Sequence, residues 1–152
     1  MINYSTITKA IEKYLNDNLP GYLVKRNVES NDDPNLAAQY KAWIGVYRGR
    51  LNYSAKAVGH VWKVEVSPVV EIQVASSDPE TAEVNHETAV NAVMDLLGAN
   101  LKLSEDVAAG TNGTVAMTNG YDLEYEYKRE NAQSLSWHRC LITINSEVEA
   151  QS

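Results

Sequence analysis

Residues 60–76, HVWKVEVSPVVEIQVAS, alternate between apolar and other side chains over most of their length. The apolar set occupies even positions: Trp62, Val64, Val66, Val70, Ile72 and Val74. Because neighbouring side chains on a strand point to opposite faces of the sheet, this alternation predicts one long strand with a buried face. Pro68 interrupts the alternation, and proline lacks an N–H and has a fixed φ. We therefore expect this strand to bend at Pro68 and to change its pairing partner there.

Two stretches of helical periodicity flank this strand. The first helix is predicted from about residue 6 to 17 by an apolar stripe with helical spacing, namely Ile7, Ala10, Ile11, Tyr14 and Leu15. The second follows Asp78 as N-cap, has Pro79 at its first position and closes at Gly98. The order is helix, strands, helix, strands, without a repeat or a linker. We predict a single α+β domain over residues 1–152, with one mostly antiparallel sheet and two main helices packed on it.

A strand that begins at Trp43 is expected to pair with the long strand as an extended hairpin spanning 43–66. Alternation predicts two faces: Trp43, Tyr47, Leu51 and Tyr53 on one, and Ile44, Val46, Arg48 and Arg50 on the other. Gly45 and Gly49 interrupt the pattern. Glycines inside a strand predict a bulge or a close approach of another backbone.

The segment YDLEYEYK, residues 121–128, predicts a strand with an aromatic face and a charged face. We expect Tyr121, Leu123, Tyr125 and Tyr127 to pack in the core and Asp122, Glu124 and Glu126 to face away from it. The pair Asn119-Gly120 predicts a type I′ hairpin turn before this strand. A final strand is predicted from about Ser136 to Val148, with His138, Cys140, Ile142 and Ile144 on one side.

The charge of the chain is unevenly distributed. The net charge of −7 argues against a protein that binds nucleic acid through general electrostatics, because phosphate binding needs a cationic surface. Residues 41–65 nevertheless carry five Lys and Arg against one Glu, a local charge of +4, whereas residues 66–120 carry −7. No apolar run approaches the roughly 18 residues of a membrane span, so no membrane partner is expected.

The carboxylates of residues 122–126 and the pair His138 and Cys140 are the candidates for chemistry. Asp122 and Glu126 lie about 13 Å apart along a strand, too far to share one metal ion without help, so the row is interpreted as a charged wall or a surface for a basic partner or channel. His138 and Cys140 share a strand face, as an imidazole and an activated thiolate would, but their apolar neighbours favour a buried structural cysteine. We expect no enzyme, cofactor or metal; an enzyme that uses either set is the alternative.

The layout of the whole chain resembles the tail-terminator, or tail-completion, proteins of long-tailed bacteriophages. The likeness rests on the N-terminal amphipathic helix, the hairpin from Trp43 to Val66, and the strand VVEIQVAS that runs through Asp78 and Ala82 into AVNAVMDLL. It extends to the closing strand WHRCLITINSEVEA, with Arg139 before its apolar alternation. Related neck and tail-tube subunits share much of this architecture.

The resemblance implies a structural subunit of the virion, assembled in the host cytoplasm. Such subunits form a ring, commonly a hexamer, that ends the tail tube and joins it to the head-completion or connector protein, while DNA passes through without specific binding. The basic hairpin would meet the acidic region of the next subunit, with an interface drawn from Trp43, Tyr47, Arg48, Arg50, Lys56, Trp62 and Lys63. Asp122, Glu124 and Glu126 would line the channel or contact the neighbouring subunit.

Overall fold

The computed structural model describes residues 4–26, 40–55, 61–99, 113–130 and 135–151, except the side chains of residues 55, 61, 62, 113–119, 130 and 148–151. Two helices and five strands follow one another as α1 (Tyr4–Asn18), β1 (Leu23–Arg26), β2 (Trp43–Ala55), β3 (Val61–Ser76), α2 (Pro79–Ala99), β4 (Gly113–Glu130) and β5 (Leu135–Gln151). The predicted N-cap of the second helix is present, because the Thr81 backbone N–H donates to Asp78 Oδ2 at 3.2 Å. Neither described helix is long and apolar enough to cross a membrane.

The strands form one sheet in the order β1-β2-β3-β5-β4. Only β1 and β2 pair in parallel, and the other neighbours are antiparallel, so the predicted α+β fold with one mostly antiparallel sheet is confirmed. Helix α1 packs over β1 and β2, and α2 packs over β3 and β5, on the same face of the sheet. We call this the helix face and the opposite one the helix-free face. The core between helices and sheet includes Ile7, Ile11, Leu15, Ile44, Val46, Val64, Val70, Ile72, Val90, Val93, Leu97, Ile142 and Ile144.

A bulge in β2 reverses the predicted facing of its second half. Tyr47 pairs with Val69, whereas the next paired residue, Arg50, is level with Ser67, so two residues of β2 stand against one of β3. Up to Tyr47 the prediction of the two faces is correct, but beyond the bulge it is wrong. Leu51 and Tyr53 share the helix face with Ile44 and Val46, and Arg50 shares the helix-free face with Trp43 and Tyr47. The predicted interruption at Gly49 is the cause.

Pro68 lies in a central strand, and the prediction that the chain changes partner there is wrong. Strand β3 pairs with β2 from Trp62 to Gln73 and with β5 from Val61 to Ser76, so it has the same two neighbours before and after Pro68. Neither register includes Pro68, which stands opposite the β2 bulge. The missing N–H of Pro68 therefore costs no ladder hydrogen bond, and this makes the proline compatible with an interior strand.

The predicted hairpin turn at Asn119-Gly120 is also absent. Strand β4 continues through both residues and pairs with β5 on either side of them. A register shift between Thr118 and Gly120 marks a second irregularity, and Gly120 has a φ of 133°, which favours glycine. Gly120 does mark an irregular backbone, but the irregularity is a local distortion within one strand and not a turn between two strands.

Candidate subunit interface

The sheet has two long edges that lack a partner among the described residues. Strand β1 covers only Trp43–Val46 of β2, and no other described strand pairs with β2 on that side from Tyr47 to Ala55. At the other end of the strand order, β4 pairs with β5 alone over its 18 residues. An open edge presents unpaired N–H and C=O groups to which another chain can add. These two edges are the candidate interface.

The aromatic face of β4 is largely solvent-exposed, which corrects the prediction that it packs in the core. Tyr121 does contact the core, and its hydroxyl donates to the Leu97 carbonyl at 3.1 Å. Leu123 is exposed, and Tyr125 and Tyr127 are 64% and 56% exposed. The physical reason is the position of α2, which packs over β3 and β5 and leaves most of the edge strand uncovered. Adjacent exposed aromatic side chains of this kind mark an interaction surface.

The open part of β2 combines apolar and basic side chains. Leu51 and Tyr53 are exposed on the helix face. Arg48 is exposed at the bulge and Arg50 is exposed after it. Contrary to the prediction, they lie on different faces of the sheet. Arg48 follows Tyr47 of the helix-free face and therefore lies on the helix face, whereas Arg50 lines a depression of the helix-free face with Asp122. The β2 edge therefore carries a positive charge on each face.

Helix α1 fixes the bulge. The backbone N–H of Gly49 donates to the Tyr4 hydroxyl oxygen at 3.0 Å, and that hydroxyl donates to the carbonyl oxygen of Arg50 at 3.5 Å. Burial raises the pKa of Tyr4, so the hydroxyl keeps the proton that it donates. Helix α1 includes Tyr4, two residues before the predicted start.

A groove of about 360 Å³ separates α2 from β4 on the helix face. We call it the α2–β4 groove, and it is lined by Glu83, His86, Glu87, Val90, Asn91, Tyr125 and His138. The rings of His86 and His138 stack with their centres 5.6 Å apart, and Tyr125 meets His86 edge-on at 6.1 Å. Glu83 and Glu87 are exposed on the helical rim. The groove thus combines an aromatic wall with two carboxylates.

His86 is held neutral inside the fold. Its Nε2 lies 3.1 Å from the Ile72 carbonyl oxygen, which can only accept, so Nε2 carries the proton. Burial lowers the pKa of His86 to about 4, and the nearby His138 adds to the effect. Burial also lowers the pKa of His138. At neutral pH the two stacked rings are therefore uncharged.

The depressed pKa of His86 predicts a loss of stability in acid. His86 of the unfolded chain binds a proton below about pH 6.5, whereas His86 of the folded protein binds one only near pH 4. The contribution of His86 to stability is therefore fully present above pH 6.5 and is lost as the pH falls from 6.5 to 4. We expect His86 to account for about 2 to 3 kcal/mol of the loss between pH 7.5 and 4.5. Urea unfolding of wild type and His86→Gln at both pH values measures this contribution. An identical pH dependence in the two proteins would contradict it.

The geometry does not favour a nucleophilic pair at His138 and Cys140. Cys140 is fully buried on the helix face, and desolvation raises the pKa of its thiol to about 11. A cysteine nucleophile needs the thiolate, which proteins favour by lowering the thiol pKa. Cys140 instead packs with Ile72, Ile142 and other core residues.

Asp122, Glu124 and Glu126 lie exposed on the helix-free face, as predicted. Asp122 Oδ2 accepts a hydrogen bond from Asn145 Nδ2 at 2.7 Å, and Glu126 Oε2 lies 3.4 Å from Arg139 Nη1. Across the described part of the chain, no three His, Cys, Asp or Glu side chains are arranged to hold a metal ion. The row remains an exposed acidic surface partly tied to its own sheet.

A buried polar network on the helix-free face was not predicted from the sequence. Glu71 is only 2% exposed, and its Oε2 forms an ion pair with Arg139 Nη2 at 2.9 Å. Gln73 donates to Glu71, and its Oε1 accepts from Trp137 Nε1 at 3.0 Å. In sequence, Glu71 and Gln73 occupied the polar positions of an alternating strand, which predicts exposure. The one indication in the sequence was Arg139, a possible partner for a buried carboxylate, which pairs with Gln73 on the neighbouring strand.

The other predicted interface residues fall into three groups. Trp43 is 3% exposed and packs with Ala75 and Trp137, so its side chain has little surface to offer a partner. Tyr47 is half-buried against the same cluster. Lys63 forms an ion pair with Glu147 of the same chain at 3.2 Å. Lys56 and the side chain of Trp62 lie outside the described residues.

No protein-family model matches the chain, and no curated protein shows a significant match to it. Function must therefore be inferred from the fold and from the two open edges.

Proposed function

We propose that this protein is a structural subunit of a phage tail, forming a ring of about six copies that ends the tail tube and joins it to the head. The observation that carries the proposal is the pair of open edges, because each exposes apolar side chains on the same helix face. These are Leu51 and Tyr53 at one edge and Leu123, Tyr125 and Tyr127 at the other. The resemblance of the layout to tail-terminator proteins supplies the place in the virion; another neck or tail-tube position is the alternative.

The position of the edges favours a ring over a two-fold dimer. The open parts of β2 and β4 are different surfaces separated by β3 and β5, about 14 Å across the sheet. A contact between two different surfaces is heterologous, and repeated heterologous contacts generate closed rings or open filaments. Joining the β2 edge of one copy to the β4 edge of the next would bury both apolar patches and extend the sheet from one subunit into the next.

Such a ring gives the two faces of the sheet different surroundings. If the sheets meet edge to edge, one face of every subunit points outward and the other towards the channel. The helices would be outside, and the helix-free face with Asp122, Glu124 and Glu126 would face the lumen. An acidic wall repels phosphates, so DNA would pass to or from the head without being held. The ring faces would bind the tail-tube protein and the head-completion or connector protein.

Removing the exposed aromatic rings of β4 should prevent assembly without unfolding the subunit. Tyr125 and Tyr127 contribute little to the core, but buried tyrosines dominate many interfaces. We expect the Tyr125→Ser, Tyr127→Ser double variant to raise the protein concentration needed for assembly more than about tenfold. Size-exclusion chromatography with light scattering measures it, and Tyr40→Ser, which removes an exposed tyrosine away from both edges, is the control. Equal assembly by the wild type and the double variant would contradict the proposed interface.

A further inference from the structure

The β2 bulge separates the two arginines of the basic edge. Arg48 follows Tyr47, which lies on the helix-free face, so alternation places Arg48 on the helix face with Val46. Arg50 lines a depression of the helix-free face with Glu65 and Asp122. Neither arginine forms an ion pair with a described residue. Both arginine side chains are exposed, each on its own side of the sheet.

The α2–β4 groove has the chemistry of a receptor for a guanidinium group. Glu83 and Glu87 lie one helical turn apart on its rim, and they line the groove together with His138 and Tyr125. Tyr125 supplies an exposed aromatic wall. A planar cation can stack on an aromatic ring and pair with a carboxylate at the same time, which an arginine does better than a lysine.

We propose that Arg48 of one subunit inserts into the α2–β4 groove of the next subunit. This inference rests on the proposed ring. When two sheets join edge to edge, helix face continues into helix face, and the groove lies on that face at the β4 edge. Arg48 is the arginine of the opposite edge that lies on the same face, whereas Arg50 lies on the other. The contact would set which edge meets which and would exclude the joining of two like edges, because like charges placed together are repelled.

Charge exchange between two variants tests the pairing. Variant one is Arg48→Glu, and variant two is the double substitution Glu83→Lys, Glu87→Lys. Each alone should require a concentration at least about tenfold higher than the wild type to assemble. Mixed in equal amounts they should assemble as well as the wild type, because an alternating ring joins the acidic β2 edge of variant one to the lysine groove of variant two, and native edges to native grooves. Arg50→Glu is the matched control and should not rescue variant two. Lys9→Glu, which changes an exposed charge of α1 away from the groove, should assemble normally.

The outcomes separate this inference from the proposed ring. Rescue by Arg48→Glu but not by Arg50→Glu supports the contact. If the wild type forms rings and each variant alone forms them equally well, the contact is overturned and the ring is not. The same holds if Arg50→Glu rescues variant two and Arg48→Glu does not. A wild-type protein that stays monomeric at every concentration, alone and with tail-tube protein, overturns the ring itself. Far-ultraviolet circular dichroism checks the fold of each variant, and Glu83→Gln with Glu87→Gln, which should also weaken assembly, replaces variant two if it does not fold.

Discussion

Replacing Gly49 by alanine should destabilise the protein by about 3 kcal/mol or more. A Cβ atom built on Gly49 would lie 1.9 Å from the Ser67 carbonyl oxygen, which belongs to the backbone of β3 and cannot move aside as a side chain can. The strands would have to separate at the bulge, and the hydrogen bond from Gly49 to Tyr4 would be strained with them. Rearrangement of packed backbone belongs to the small class of substitutions with large effects.

Urea unfolding of Gly49→Ala measures this loss, and Gly98→Ala is the matched control. Gly98 is in α2, and no atom lies within 4 Å of an added Cβ. Because alanine favours a helix more than glycine does and Gly98 lies in the last turn of α2, the control should be as stable as the wild type or gain no more than about 1 kcal/mol. A Gly49→Ala protein as stable as the wild type would show that the bulge does not have the described geometry. It would also remove the reason for placing Arg48 and Arg50 on different faces.

Replacing Arg139 by alanine should cost about 3 kcal/mol. Arg139 is paired with Glu71, which is almost fully buried, and removing it would leave a buried carboxylate without its cation. Breaking a buried ion pair in this way typically costs about 3 to 5 kcal/mol, and the lower value is expected because Gln73 still donates to Glu71. Thermal and urea unfolding measure the change.

A second substitution distinguishes the buried charge from a general packing effect. In the Arg139→Ala protein, Glu71→Gln removes the unpaired charge and should recover a large part of the lost stability. Lys63→Ala breaks another ion pair of the same face, the half-exposed one with Glu147, and should cost no more than about 1 kcal/mol. An Arg139→Ala effect as small as that of Lys63→Ala would contradict the structural role of the network.

The sequence predicted the elements of the fold better than their relations. Asp78, Pro79 and the apolar stripe of α2 act locally, because capping and helical periodicity depend on residues within a few positions of one another. The facing of β2 could not be extended past Gly49, because one extra residue reverses every later side chain. The position of Pro68 in an interior strand could not be predicted for a related reason, because it is compatible with the sheet only where the β2 bulge lies opposite.

The candidate site shows the same limit. That Asp122, Glu124 and Glu126 share one exposed face followed from alternation alone. Tyr125 and Tyr127 are also exposed because α2 packs over β3 and β5 and not over β4. The strands that a helix covers cannot be predicted from a local sequence pattern. Glu71 is buried because Arg139 and Trp137 converge on it and its neighbour Gln73 from another strand. Long-range pairing of this kind is invisible to periodicity.

Negative-stain electron microscopy of the purified wild-type protein, with and without tail-tube protein, tests the central claim most directly. Head-to-tail joining of the β2 and β4 edges predicts closed rings of about six subunits with a central channel, and ring density at the ends of tubes. Two-fold dimers would contradict the heterologous contact. Protein that remains monomeric under both conditions would contradict the claim that these edges join subunits at all.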